Sequence, residues 1–582
     1  MTEKRPQFLF YIIGFLFFIL LFSLFNLQII NGEKYFRIAE RNYVRIKTIE
    51  PVRGEIFDRK FRPIVTNKPS YNLYIVLGKI RNKTKLIDFI EEHFGSERKN
   101  IEEIIRKNRF RLYQEILLVR NVNFEKMVEI SEKLNYFPSL FFKTGTVRNY
   151  AYENNFTGYL GRINEKEFSK LKNEGYTINS IIGKTGLERY YEKNLAGKKG
   201  FEILQVDASG KNLNLFKYNP KTPPVNGQNL ILTIDNDLQN YLEHIFPSRK
   251  RGSIIVTNIA TGGILAYISK PDFDPNIFNR SLSEKEWNLI VQNPAHPMLD
   301  RNIRGVYPPG SVYKPIMATL GLETGIIDEN TKLAECTGGM QVGNRFYKCW
   351  LSSGHGKLNV IDALKYSCDV FFYDLSLQFA LQDLDDFTKK NMLTVPTGID
   401  LPGERAGFFP TEKWFRKNYG KYISLTGQKV NIAIGQGELL VTPLQICAYY
   451  AALGNEGEWI QPHLLMKTVD ENGSTKIDYE HLQLPVSPSN LELIKKALYK
   501  VVNERYGTGT KAFVRGVTVY GKTGSAENHM GEKTHAWFAG FAEWEKPEIG
   551  FVVFLENAGH GGSEAAPIAK KIVEFYDNLR EQ

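Results

Sequence analysis

The sequence predicts an α+β chain in three parts: an N-terminal transmembrane helix, an elongated α+β pedestal, and a larger domain with one antiparallel sheet covered by helices. Three observations predict it. Phe8 to Phe25 is an unbroken run without a charge. From about Asn67 to Thr185 the chain is dense in Lys, Glu, Ile and Phe and mixes short helical with short strand patterns. Beyond Asn229 strand patterns stand at both ends with helical patterns between them, which suits a single sheet with helices laid over it. At 582 residues several domains are expected. With 42% hydrophobic and 24% charged residues and no low-complexity tract, the composition is globular. No internal repeat, zinc-finger or recognition-helix pattern points to nucleic acid. The net charge of +11 suits either a Lys-rich soluble surface or contact with anionic envelope polymers and lipid head groups.

Residues 1–7 read as a cytoplasmic tail and 8–30 as a signal anchor, since the run is long enough to span a bilayer. Ser23-Leu24-Phe25-Asn26 is a poor cleavage site, so the anchor is expected to stay. Lys34, Arg37 and Arg41 outnumber Lys4 and Arg5, so charge counting leaves the orientation open. The pedestal covers 31–226, with a head subdomain at about 67–185. Helices are expected at Lys85–Phe94, Ile101–Arg109 and Phe124–Leu134. Gly183 to Ser209 reads as a helix, a turn at Gly197-Lys198-Lys199-Gly200 and a strand near Phe201–Asp207. Three prolines between Lys217 and Gly227 mark a linker. The last domain covers 227–582. Leu230–Ile234 is a strand pattern, Asn236–Phe246 a helix, and Gly252–Asn258 with Ile264–Ser269 a hairpin around Thr261-Gly262-Gly263. Val517–Tyr520, Ala536–Phe541 and Gly550–Leu555 form a late meander, and Glu564–Leu579 closes the chain as an amphipathic helix.

Chemistry concentrates in Tyr307-Pro308-Pro309-Gly310-Ser311-Val312-Tyr313-Lys314. A helix starting there puts Ser311 and Lys314 on one face, and Pro315 suits a first turn. A serine needs a neighbour to take its proton, which a lysine in a dry pocket can do. Neither this spacing nor K-T-G is trustworthy alone. Ser96-Glu97-Arg98-Lys99 repeats the first, and K-T-G occurs at Lys143, Lys184 and Lys522. Only Ser311, Ser367 and Lys522 form an ordered set with fitting contexts. Ser367 and Asp369 stand in Ser367-Cys368-Asp369, between two helical patterns, and Lys522 follows a strand pattern. An antiparallel sheet would bring Lys522 beside Ser311.

This ordered set resembles that of class B penicillin-binding proteins, of the cell-elongation type. The resemblance spans nearly the whole chain. Arg53-Gly54-Glu55-Ile56-Phe57-Asp58-Arg59 and Gly186-Leu187-Glu188 with Tyr191-Glu192 look like its pedestal motifs. Phe273-Asp274-Pro275-Asn276, Gly435-Gln436-Gly437, Thr442-Pro443-Leu444-Gln445 and His535-Ala536-Trp537-Phe538-Ala539-Gly540 follow in family order. Asp369, where many relatives carry Asn, is similar to the elongation group.

The resemblance implies a penicillin-binding, serine β-lactamase-like fold and peptidoglycan D,D-transpeptidation through a serine acyl-enzyme, with covalent inhibition by β-lactams. Ser311 would attack the penultimate D-Ala carbonyl, and Lys314 would be the base, its pKa lowered by burial and by Lys522. Ser367 would relay a proton to the leaving amine and Asp369 would hold the relay. Lys522 and Thr523 would grip the terminal carboxylate. Gly524 would let substrate backbone approach, and the N–H groups of Ser311 and Ser525 would form the oxyanion hole. Asp369 as a plain helix cap and Trp537 as plain core are the bland alternatives. No cofactor is required for this chemistry. Competing readings are a D,D-carboxypeptidase or β-lactamase, and a non-catalytic β-lactam sensor or scaffold. Implied partners are stem peptides, a membrane-embedded glycan polymerase bound through the pedestal, other elongation-complex proteins and the inner membrane, with the catalytic domain periplasmic.

Cys336, Cys349, His355 and Cys368 fall within one short stretch and form a Cys₃His set suited to structural zinc. A Cys336–Cys349 disulfide in an oxidising periplasm and three unrelated buried thiols are the alternatives. Cys447, in an apolar helix, reads as core.

Overall fold

The computed structural model describes residues 4–35, 44–95, 97–178, 180–205, 221–280, 282–528 and 533–580. Ser96, Arg37, Arg41, Ser209 and residues 217–220 of the linker lie outside them. The N-terminal run forms a helix at Lys4–Phe25 that continues as one wider turn at Asn26–Ile30. Phe8–Ile30 has the length and composition of a membrane span, with its apolar side chains exposed.

The chain folds into two compact units and crosses between them several times. The first holds Met1–Arg53, Asn67–Val147 and Ala196–Gly227; the second holds Gly54–Thr66, Arg148–Leu195 and Gln228–Gln582. One of the crossings falls between Gly227 and Gln228. The pedestal-motif segments fold with the second unit, because each finds its partners there. Ile56 and Phe57 pair in parallel with Leu230 and Ile231. Glu188 receives a buried ion pair from Arg148 at 2.6 Å.

In the first unit, strands at Val44–Ile49, Gly200–Gln205 and Lys221–Thr222 make a small antiparallel sheet. The head packs helices Lys83–Phe94, Arg98–Lys107 and Phe124–Ser131 around Leu73, Ile75, Leu86, Ile90, Ile101 and Ile130. Asn82 and Asn123 cap two of these helices from their side chains, each accepting from the backbone N–H three residues on.

The second unit carries the expected antiparallel sheet. Its five strands are β1 (Gly252–Asn258), β2 (Ile264–Lys270), β3 (Thr518–Ala526), β4 (His535–Glu543) and β5 (Pro547–Leu555), in the order β2-β1-β5-β4-β3. Strands β1, β4 and β5 are buried nearly throughout, which explains their continuous apolar runs. One face packs on α6 (Ala566–Arg580) through Ile568, Ile572 and Val573. Against the other lie α1 (Lys314–Glu323), α2 (Val360–Lys365), α3 (Asp369–Leu377), α4 (Pro443–Gly454) and α5 (Pro488–Asn503). Helix α4 is buried along its whole length and bears Cys447, a core thiol as expected. Among the described residues strand β3 ends the sheet and leaves one edge without a neighbouring strand.

Candidate active site

Gly310–Tyr313 is a single 3₁₀ turn that runs directly into α1 at Lys314, with Pro315 inside the first helical turn. The helix thus begins three residues later than the nucleophile pattern suggested. In a 3₁₀ turn residues i and i+3 eclipse, so Ser311 and Lys314 still share a face. The turn is held from α4, whose Tyr450 hydroxyl donates to the Val312 carbonyl at 2.9 Å. It is held from β4 by Trp537, whose Nε1 donates to the Pro308 carbonyl at 3.1 Å. Trp537 is fully buried, as the core reading expected.

Lys314 is the best-connected group of the site. Its Nζ donates to the Ser367 carbonyl at 2.8 Å, to Ser367 Oγ at 3.3 Å and to Asp369 Oδ1 at 2.7 Å. Ser367 sits between α2 and α3 with φ +55°, in the left-handed region that a serine seldom adopts. That backbone turns both its carbonyl and its hydroxyl toward one amine, a cost usually met only at functional positions. Asp369 opens α3 without capping it. Its second oxygen accepts from the Trp350 N–H at 3.0 Å, so the carboxylate ties Lys314 to the Cys349–Trp350 segment.

Strand β3, which carries Lys522, packs against the turn that carries Ser311. Gly524 on β3 lies so close to the nucleophile's turn that a Cβ there would stand 3.0 Å from the Pro309 carbonyl and 3.1 Å from Val312. Lys522 is fully buried, with Nζ 3.1 Å from the Thr523 carbonyl. Burial first, and then the charge of Lys314, push it well below the ordinary lysine range. Lys522 is thus a depressed amine, and Lys314 pairs with Asp369 at its side. Thr523 Oγ1 donates to Thr508 Oγ1 at 2.9 Å, and Ser525 Oγ accepts from the Gly561 N–H at 3.2 Å. The other K-T-G lysines are ordinary ion-pair partners: Lys143 pairs with Glu115, and Lys184 with Glu167 at 2.5 Å.

Two contributors, Glu556 and Thr508, escaped the motifs, and a third, Gln436, lay in one. Glu556, just past β5, accepts from the Tyr307 hydroxyl at 2.7 Å and from Arg301 at 2.9 Å, and pairs with Arg251 at 2.9 Å. This anchors the segment leading to Ser311. Thr508 and Gln436 touch β3. Gln436 had a signal in its Gly-flanked position; Glu556 and Thr508 had none, because their partners are remote in sequence.

Cys336, Cys349, His355 and Cys368 come together, with their ligand atoms all within 4.8 Å of one another. His355 Nδ1 lies 3.6 Å from Cys336 Sγ and 3.5 Å from Cys349 Sγ. These match the ~3.5 Å edges of a tetrahedron with Zn–S of ~2.3 Å and Zn–N of ~2.0–2.1 Å. The thiols are unbridged. The hydrogen bond between Cys349 and Cys368 pushes the first thiol down and the second up.

The family model of the penicillin-binding protein transpeptidase domain matches residues 252–574, and that of the penicillin-binding protein dimerisation domain matches 48–232. The chain is 31% identical to the peptidoglycan D,D-transpeptidase MrdA of Haemophilus influenzae, over 97% of this chain and 90% of the relative. It is 31% identical to MrdA of Escherichia coli K12, over 93% and 89%. Among solved structures it resembles penicillin-binding protein 2 of Helicobacter pylori, in complex with MreC, at a TM-score of 0.78 and 26% identity over 91% of this chain and 99% of that one. Penicillin-binding protein 2 of Pseudomonas aeruginosa, in complex with WCK 5153, is similar at a TM-score of 0.69 and 27% identity over 91% and 96%.

Proposed function

This chain belongs to the penicillin-binding proteins and is a serine peptidoglycan D,D-transpeptidase; from that premise we propose how its residues divide the work. Ser311 Oγ attacks the penultimate D-Ala carbonyl carbon while Lys314 takes its proton. The tetrahedral intermediate collapses, the amide C–N bond breaks, and the terminal D-Ala amine leaves with a proton relayed through Ser367. A neighbouring stem-peptide amine then attacks the ester and Ser311 regains its proton. The observation that carries this reading is the set of three contacts at Lys314 Nζ, on Ser367 O, Ser367 Oγ and Asp369 Oδ1. Through the Ser367 Oγ contact, the proton that Lys314 takes from Ser311 passes to Ser367 as Ser367 gives its own proton to the leaving amine. Lys522 and Thr523 receive the terminal carboxylate. The N–H groups of Ser311 and Ser525 hold the oxyanion, where loss of one donor costs about 3–4 kcal/mol of barrier.

The name shared by the relatives sets transfer ahead of hydrolysis, carboxypeptidase action or sensing. The anchor and the elongation-type relatives support a single-pass protein of the inner membrane that cross-links peptidoglycan in the periplasm during elongation. The pedestal is the proposed contact with a glycan polymerase. Cys336, Cys349, His355 and Cys368 fit structural zinc, which would stiffen the segment carrying Ser367 and Asp369 when bound. Mass spectrometry after penicillin labelling tests the whole: the wild type gains one penicilloyl group on Ser311, and Ser311→Ala gains none. Labelling elsewhere would sink it.

A further inference from the structure

We propose that Gln436 is a positioning residue for the oxyanion hole: its side-chain amide stands in for a neighbouring strand on the open edge of β3 and fixes the aim of the Ser525 N–H. The inference rests on the reading of Ser311 as nucleophile and adds to it how the second donor is held.

Strand β3 ends the sheet, so alternate residues along it present backbone groups that β4 does not pair. In an antiparallel strand the N–H and C=O of one residue point to the same side. The Ser525 carbonyl accepts from Gln436 Nε2 at 3.0 Å. It therefore faces the open edge, and so does the Ser525 N–H. Two residues on, with the same parity, the Glu527 N–H donates to Gln436 Oε1 at 3.1 Å. One primary amide thus makes the donor-and-acceptor pair that the next strand of a sheet would make.

The same loop also reaches the nucleophile. The Gly310 N–H donates to the Gly435 carbonyl at 2.8 Å. Gly435 (φ +70°) and Gly310 (φ +58°) approach so closely that a Cβ on Gly435 would stand 2.1 Å from the Gly310 oxygen. Adjacent residues 435 and 436 therefore fasten the turn that carries Ser311 and the strand that carries Ser525. The gap between the two oxyanion donors is set by this clasp. Gln436 itself need not touch the reacting atoms. It acts through the strand it holds.

The test uses the detergent-solubilised full chain with Gln436→Glu and Gln436→Met. The first keeps an acceptor for Glu527 and loses the donor to Ser525; the second loses both and keeps the volume. Acylation by a chromogenic cephalosporin separates prior binding from the acylation step, and a boronic acid reports on the oxyanion hole through its tetrahedral adduct. Misaiming a donor should cost less than deleting it, so the acylation rate and boronate affinity are expected to fall by about tenfold in Gln436→Glu and further in Gln436→Met. Prior binding should stay within about threefold and Tm within about 2 °C, as for a substitution that leaves the core alone. The proposal is overturned by acylation and boronate affinity within twofold of wild type, by a loss confined to prior binding, or by variants melting about 10 °C lower, which would make the loop a fold element. Failure of the parent reading looks different, because the wild type would then carry no adduct on Ser311.

Discussion

Asp369→Ala leaves the Lys314 ammonium buried without its carboxylate, and its cost follows from the geometry. The Lys314 side chain is 0% exposed and that of Asp369 12%, with 2.7 Å between Nζ and Oδ1. Breaking a buried pair by removing one partner costs about 3–5 kcal/mol, since the remaining charge is uncompensated. For a unit of this size Tm moves by roughly 2 °C per kcal/mol, so a drop of about 6–10 °C is expected. Lys314→Met/Asp369→Ala should recover part of that loss, because the stranded charge is gone. A double-mutant cycle by thermal and urea unfolding should return about 2 kcal/mol or more of coupling. Penicillin labelling of Asp369→Ala should fall with the loss of order at Lys314 and Ser367. An additive cycle, or a Tm within about 1 °C of wild type, would refute a structural ion pair at the centre of the site.

Lys522→Met should abolish penicillin labelling yet raise Tm at neutral pH, since a fully buried amine is replaced by an apolar chain; an unchanged or lower Tm counts against the desolvation. Because the folded pKa of Lys522 lies below the unfolded value, the unfolded chain holds the extra proton in between. That group's penalty is therefore full at low pH, and stability rises with pH through the depressed value up to 10.5. Wild type should gain stability across that window relative to Lys522→Met. Purified protein should carry one zinc per chain by elemental analysis, and Cys349→Ser should lose it and melt lower, because metal binding is folding energy; a metal-free protein with unchanged Tm excludes the zinc. Glu556→Gln keeps an acceptor for Tyr307 and Arg301 and weakens two ion pairs, so acylation should slow by about threefold to tenfold with prior binding unchanged; equal rates would show that the Tyr307 segment is held without it.

The catalytic sheet was legible because hairpin, meander and closing helix each follow a local period, and turn chemistry marks their ends. The order Ser311, Ser367, Lys522 was legible for the same reason: each sits in a context of its own. The three K-T-G copies show where local information stops. They are identical as tripeptides; order and a flanking strand pattern singled out Lys522, and its full burial sets it apart from the ion pairs at Lys143 and Lys184. From the sequence the depressed pKa is expected at Lys314 and the depression at Lys522 is not foreseen, since desolvation depends on what packs around an amine and not on its neighbours in the chain. The left-handed Ser367, the Glu556 anchor on Tyr307 and the Gln436 clasp on β3 arise from contacts many residues apart. By itself the sequence determined the elements, their order and the residue types for acyl transfer. Tertiary structure decided which charges are buried together and which backbone edge stays open, because only packing brings those groups within reach of one another.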